Sequence, residues 1–255
     1  MSTVFITGSA DGLGREVARQ LLEDGDRVVL HVRSRERLAA VKDLATRALG
    51  VVIGDLASAA ETRGVAEQVN RIGRMDAVIH NAGIYDSTTR DATAEGHAKI
   101  LAVNTLAPYV LTVLIERPAR LVYLSSGMHR GGEGSLADID WLKRRWNATQ
   151  AYSESKLHVA ALAAALAHRW PDVLANAVDP GWVPTRMGGT NAPDRLEDGC
   201  RTQAWLAVSN DPAARVSGAL WHHQRRITPA PEVTDRGFQD QLLARLAALT
   251  GIQLP

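Results

Sequence analysis

Apolar and polar positions fall into two kinds of block along this chain. Short apolar runs bounded by glycine or polar residues recur at Val4-Phe5-Ile6, Arg27 to Val32, Val51-Val52-Ile53, Met75 to His80, Arg120 to Ser125, Val173 to Val178 and Ser217 to Trp221. Runs of this kind read as strands buried on both faces. Longer helical patterns lie between them: one through Val17, Leu21 and Leu22, then Glu36 to Ala48, Ala59 to Ile72, Leu157 to Ala167, Leu196 to Val208 and Phe238 to Leu249, the last stopped by Gly251. Strand and helix in alternation predict a parallel sheet with helices on both faces. Right-handed crossovers make it a doubly wound, Rossmann-type α/β sheet of about seven strands. All 255 residues are read as a single domain.

Composition narrows the partners. The net charge of +1 offers no field for nucleic acid or an anionic membrane. The single Cys200 has no disulfide partner, which fits a reducing compartment. Met1-Ser2 leads straight into the first strand without a signal-peptide pattern, and no apolar stretch is long enough for a membrane span. A cytoplasmic protein is expected. Trp221-His222-His223 invites a metal, but adjacent histidines on a strand point apart and no Cys or acid stands at ligand spacing, so no metal site is expected.

Candidate chemistry gathers at the strand ends. The first strand runs into Thr7-Gly8-Ser9-Ala10-Asp11-Gly12-Leu13-Gly14 and then a helix. Strand, glycine turn and helix together make a dinucleotide loop: glycines admit a pyrophosphate to the backbone, and the amides at the helix start donate to it. The cofactor candidates there are Gly8, Ser9, Asp11, Gly12, Leu13 and Gly14. The second strand ends in His31-Val32-Arg33-Ser34-Arg35, with no carboxylate before Glu36. An acid at this tip selects NAD, whereas arginine suits the 2′-phosphate of NADP. NADP(H) is therefore expected over NAD(H), held by Arg33 with Ser34 assisting. Ligands sit beyond the carboxyl ends of such strands, which brings Asp55-Leu56 and Asn81-Ala82-Gly83 to the same edge. Asp55 reads equally as an adenine neighbour or a helix cap. Tyr152 and Lys156, four apart on a helix, share a face. An ammonium beside the phenol favours its ionisation and readies it for proton transfer.

Thr7-Gly-x-x-x-Gly12-x-Gly14, Asp55-Leu56, Asn81-Ala82-Gly83, Asn104, Ser125-Ser126, Tyr152-x-x-x-Lys156 and Pro180-Gly181-x-Val183-x-Thr185 stand together in the order and spacing of the short-chain dehydrogenase/reductase family. The chain resembles that family from Thr3 to about Trp221, most of all its retinol dehydrogenase-like and bacterial ketoreductase branch. The resemblance implies an NADP(H)-dependent oxidoreductase that interconverts a ketone or aldehyde with an alcohol. Tyr152 would be general acid/base, Ser126 would hold the substrate oxygen, and Lys156 would lower the Tyr152 pKa and hold the nicotinamide ribose. Asn104 would fix a water behind Lys156, and Pro180, Gly181, Val183 and Thr185 would meet the nicotinamide end.

Departures from the family pattern direct attention elsewhere. His80 replaces a frequent asparagine. The segment after Asn104 is short, whereas Leu157 to Ala167 is apolar almost all round and needs cover from the sheet and a second source, with a partner subunit as one candidate. Gly127 to Gln150 forms an enlarged loop containing Trp141 and Trp146, which either line a substrate site or dock on the core. The substrate side is assigned to 127–150 and 182–210. Met128, Trp182 and Met187 point to a bulky, apolar carbonyl or alcohol, with core packing as the competing explanation. The alternative function is an NADP-binding sensor without turnover. A sugar-nucleotide epimerase ranks lowest, for want of its glycine spacing and larger substrate domain.

Overall fold

A computed structural model describes residues 1–85 and 88–255. Its strands are β1 (Thr3–Ile6), β2 (Arg27–Val32), β3 (Gly50–Ile53), β4 (Ala77–His80), β5 (Arg120–Leu124), β6 (Leu174–Asp179), β7 (Leu220–His222) and β8 (Arg225–Ile227). Its helices are α1 (Gly12–Glu23), α2 (Lys42–Ala45), α3 (Ala59–Ile72), α4 (Lys99–Leu101), α5 (Ala107–Leu114), α6 (Ala148–Arg169), α7 (Leu196–Val208), α8 (Pro231–Thr234) and α9 (Arg236–Thr250). The strands form one sheet in the order β3-β2-β1-β4-β5-β6-β7-β8. All neighbours are parallel except β7 and β8. The order reverses between β1 and β4, which creates the crevice where such sheets take ligands.

Alternation along each strand divides the core. In β1, Val4 and Ile6 join Val17, Leu21 and Cys200 on the side of α1 and α7, while Phe5 faces Tyr109, Leu157 and Leu162 on the other side. Helix α6 lies on that second face and is buried from Ala151 to Leu166. The sheet covers one of its sides, and α8 and α9 of the same chain cover another. The second cover is thus intramolecular. The chain end reinforces it: the Tyr109 hydroxyl donates to the Ile252 carbonyl at 2.8 Å, and the Trp170 indole N–H donates to the Pro255 carbonyl at 3.1 Å.

Three local features depart from the sequence-based expectation. The helix expected over 36–48 is a 3-10 run (Arg35–Val41) followed by the short α2. Arg15 donates to the Ala40 carbonyl at 2.7 Å and competes for an acceptor that a continuous α-helix would need. The sheet has eight strands rather than about seven. His223 and Gln224 both have positive φ (46° and 59°), the geometry of a tight hairpin turn, and they return the chain as an arginine-rich edge strand. The same turn corrects the expected divergence of the two histidines, because the His222 and His223 rings stack with centroids 3.9 Å apart.

Candidate active site

The glycine turn is built by close approach. A Cβ on Gly14 would fall 2.3 Å from Asn81 Nδ2 and 2.4 Å from the Gly8 carbonyl oxygen, so no side chain fits there. Asn81 Nδ2 donates to the Thr7 carbonyl at 2.9 Å, and the Ala82 amide donates to Thr7 Oγ1 at 2.9 Å, clamping the end of β4 to the turn. The first-turn amides of α1, at Gly12, Leu13 and Gly14, have no intrahelical acceptor by construction. Asn81 Oδ1 is buried without a partner beside them.

Ser9 in this turn and His31 on β2 have roles the sequence hid. The Ser9 hydroxyl donates to the Ile6 carbonyl at 2.6 Å and accepts the His31 amide at 3.1 Å, and its own amide donates to the His31 carbonyl. Fully buried and doubly committed, the Ser9 side chain is a strut of the loop. His31 was read only as part of the strand tip. Its Nδ1 accepts the Gly8 amide at 2.9 Å and its Nε2 lies 2.8 Å from the Gly54 carbonyl, so the ring ties the turn to the end of β3. Burial pushes His31 down to about 4 and keeps the ring neutral. A lone histidine in an apolar strand was its only sequence signal.

Near the ends of β1 and β2, Asp11 accepts from Arg37 at 2.7 Å. Arg33 is exposed and makes no hydrogen bond or ion pair with a described residue. Ser34 precedes the 3-10 run, whose first turn contains Glu36. Asp55 Oδ1 accepts the Ala57 amide at 2.9 Å, while the N-cap of α3 is Ser58, so Asp55 closes the turn ahead of the helix and Leu56 is buried behind it.

At the other end, Ser126 follows β5, and Tyr152 and Lys156 stand on α6, whose start is capped by Asn147 accepting from the Gln150 amide at 3.1 Å. Lys156 Nζ donates to the Leu124 carbonyl at 2.8 Å and lies 5.4 Å from the centre of the Tyr152 ring. A Cβ on Gly83 would sit 3.2 Å from Nζ and 3.5 Å from Asn104 Oδ1, so the 81–83 turn, Asn104 and Lys156 converge on one point. Burial depresses Lys156 to about 8. Burial also pushes Tyr152 up to about 12, with the Ser126 hydroxyl acting the other way. In the protein alone, desolvation outweighs the Ser126 hydroxyl and the phenol keeps its proton.

Asn104 lies in a π-helical segment (Ala102–Leu106) between α4 and α5, a distortion often found at functional sites. Its Nδ2 donates to the Ile84 carbonyl (2.9 Å) and Ser155 Oγ (3.0 Å), and its Oδ1 accepts the Ile84 amide (2.8 Å). The side chain braces the turn against α6, a use the sequence did not reveal. The Gly181 amide donates to Asp179 Oδ1 at 3.1 Å, Val183 is buried, and Thr185 meets Gly12, where an added Cβ would lie 3.3 Å from Thr185 Cγ2. Pro180 to Thr185 thus reaches back to the glycine turn.

Tyr85 was missed. Its ring centre is 4.7 Å from that of Tyr152, and its hydroxyl is 3.0 Å from Thr149 Oγ1. Met187 Sδ sits 3.9 Å from the Tyr152 hydroxyl, and Met187 and Trp182 are both exposed. Trp141 and Trp146 instead pack edge to face at 5.6 Å. Trp141 docks on α6, its indole N–H donating to Glu154 at 3.0 Å, which settles those two alternatives for this side chain.

A family model described as short chain dehydrogenase matches residues 2–196. The chain belongs to the short-chain dehydrogenase family. A short-chain dehydrogenase of Penicillium rubens is 41% identical over 100% of both chains. A Streptomyces protein named for daunorubicin C-13 ketoreductase activity is 34% identical, covering 98% of this chain and 92% of its own. Among solved structures, an uncharacterised protein from Mycobacterium paratuberculosis aligns with a TM-score of 0.82 at 28% identity, over 100% of this chain and 95% of that one. This short-chain dehydrogenase family member is an oxidoreductase of the NAD(P)-dependent class. Among the described residues, no helix is long and apolar enough to cross a membrane.

Proposed function

We propose that this oxidoreductase interconverts a ketone or aldehyde with an alcohol using NADP(H). The observation that carries the reading is the convergence of Lys156 and Asn104 beside Gly83, with the Tyr152 ring 5.4 Å from Lys156 Nζ and the Ser126 hydroxyl acting on the Tyr152 phenol. The residues fit a dinucleotide: Gly14 leaves no room for a side chain, the α1 amides and the orphaned Asn81 Oδ1 stand at the turn, and Lys156 waits at the far end. NADP(H), when bound, supplies the hydride. Arg33, exposed and unpaired among described residues, would take the 2′-phosphate, and Ser34 and the Gly12 to Gly14 amides would hold the adjoining groups.

Tyr152 would donate its hydroxyl proton to the substrate oxygen. A phenol held at about 12 is fully protonated at neutral pH, the state a donor to a carbonyl requires. Ser126 Oγ would hydrogen-bond that oxygen as negative charge develops on it. Lys156, fixed by the Leu124 carbonyl, would place its ammonium behind the phenol, and Asn104 would keep the turn and α6 in register.

Tyr85, Trp182 and Met187 support a bulky, apolar substrate, framed by 127–150 and 182–210 within one 1–255 domain. A cytoplasmic address completes the reading, supported by the single, buried Cys200. The test is a panel of ketones and aldehydes assayed with NADPH and NADH side by side. Turnover of apolar carbonyls with NADPH favoured is expected. Binding of NADPH with no substrate in a broad panel reduced would leave the sensor in its place.

A further inference from the structure

Beneath Ser126 lies a histidine for which the reaction has no use. His129 follows the serine by one 3-10 turn (Gly127–Gly131) and is fully buried. Its Nδ1 is 2.7 Å from the Ser126 carbonyl oxygen, and its Nε2 is 3.1 Å from the Ala230 amide nitrogen. Each partner permits one role, since a carbonyl only accepts and an amide N–H only donates. The ring therefore carries its single proton on Nδ1 and accepts at Nε2. Ala230 opens α8, so the imidazole spans from the end of β5 to the segment that covers α6.

Ser126 is held from three directions. Its carbonyl also accepts the His129 amide at 3.0 Å, and its hydroxyl accepts the Met128 amide at 3.2 Å. Fixing that carbonyl fixes the peptide plane and with it the direction in which the Ser126 side chain leaves the backbone. Arg130 straps the same turn to the Thr228 carbonyl, so the C-terminal segment is joined to the serine loop twice.

We infer that His129 is a positioning residue: by tying the Ser126 carbonyl to the Ala230 amide, it aims the Ser126 hydroxyl at the substrate oxygen and makes the C-terminal segment part of the support of the active site. The inference rests on the role proposed above for Ser126. The charged groups facing the ring are Arg130 on its own turn, Asp179 at the end of β6 and Glu232 on α8. Burial lowers His129 against the pull of the two acids, in keeping with a neutral ring.

Two variants separate the two nitrogens. His129→Asn keeps a donor at the Nδ1 position, whereas His129→Gln reaches the Nε2 position and loses the bond to Ser126. His129→Gln should lower kcat about tenfold or more, as a misdirected catalytic group does, while KM and NADPH affinity stay within about twofold. His129→Asn should recover most of that loss. Independently of turnover, ¹⁵N spectra of the wild-type rings at neutral pH should show His129 protonated on Nδ1 alone, with any acid transition lying below that of a free histidine. A ring protonated on Nε2, or one that titrates freely, overturns the inference. So do equal kcat losses in both variants that track their melting temperatures. A wild-type protein with the stated tautomer that reduces no carbonyl overturns the role of Ser126 itself, and the positioning role falls with it.

Discussion

Arg33 stands exposed at the tip of β2 with its charge uncompensated among the described residues, and that isolation is what a 2′-phosphate needs. A charge-assisted hydrogen bond contributes about 1.5–3 kcal/mol, or roughly 10- to 100-fold in affinity. Arg33→Ala should weaken NADPH binding by that factor and leave NADH binding unchanged, as read by titration calorimetry. Lys156 shows the tension between site and stability. Burial depresses it from 10.5 to about 8, a penalty of about 3 kcal/mol on the charged form. The folded state bears this penalty in full below pH 8, and it fades as pH rises toward the unfolded value. Lys156→Met should therefore abolish most turnover while holding or raising the melting temperature at pH 7, with the gain shrinking in alkali. Tyr152, pushed up to about 12, gives the reaction its own pH signature. The proton donor is present throughout neutral pH, so reduction should vary little there, whereas oxidation needs the phenolate and should accelerate with rising pH.

At the scale of elements, α6 carries the proposed chemistry at Tyr152 and Lys156 and is anchored through Glu154. Between Tyr152 and Lys156 sits buried Glu154, accepting from the two terminal guanidinium nitrogens of Arg144 at 2.8 Å and from the Trp141 indole N–H. Arg144 in turn lies 3.8 Å over the Trp141 ring. The enlarged loop before α6 is therefore clasped to that helix. Arg144→Met would strand the Glu154 carboxylate, and breaking such a buried pair costs about 3–5 kcal/mol, which thermal denaturation would register. The loop's length and its two tryptophans were visible in the sequence. Its destination was not, because the partner of Arg144 is set by tertiary packing and Trp141 needs positive φ (56°) to reach it. The same limit hid His31 and His129, whose partners lie on other strands and segments. The periodic elements were legible for the opposite reason: α7, with its span Leu196–Val208, follows directly from a local apolar pattern. β8 was not legible, since Arg225 and Arg226 carry no apolar signal and its pairing comes from the turn.

Across the whole molecule, buried histidines set the acid limit, His31, His80 and His158 foremost. Burial lowers His31 to about 4 and His80 and His158 to about 3, against 6.5 for a free ring. Below about pH 6.5 the unfolded chain binds protons that the folded protein refuses, so stability is full above that pH and falls as the solution is acidified. The slope is about 1.4 kcal/mol per pH unit for each ring. His158 adds a second cost, because both its ring nitrogens are buried without a partner on the face of α6 beside a cavity of about 10 Å³. His158→Leu should raise stability at neutral pH and flatten the acid limb in urea titrations. The glycine turn, Arg33 and Ser126 follow the carboxyl ends of β1, β2 and β5. The central claim is that Tyr152 delivers the proton to a carbonyl reduced by NADPH. Its most direct test compares Tyr152→Phe with the wild type in two measurements, NADPH affinity and steady-state oxidation of NADPH by a carbonyl that the wild type reduces. The expected result is unchanged affinity with turnover lower by about 100-fold or more, the scale of lost acid catalysis. Near-wild-type turnover in the phenylalanine variant would contradict the account.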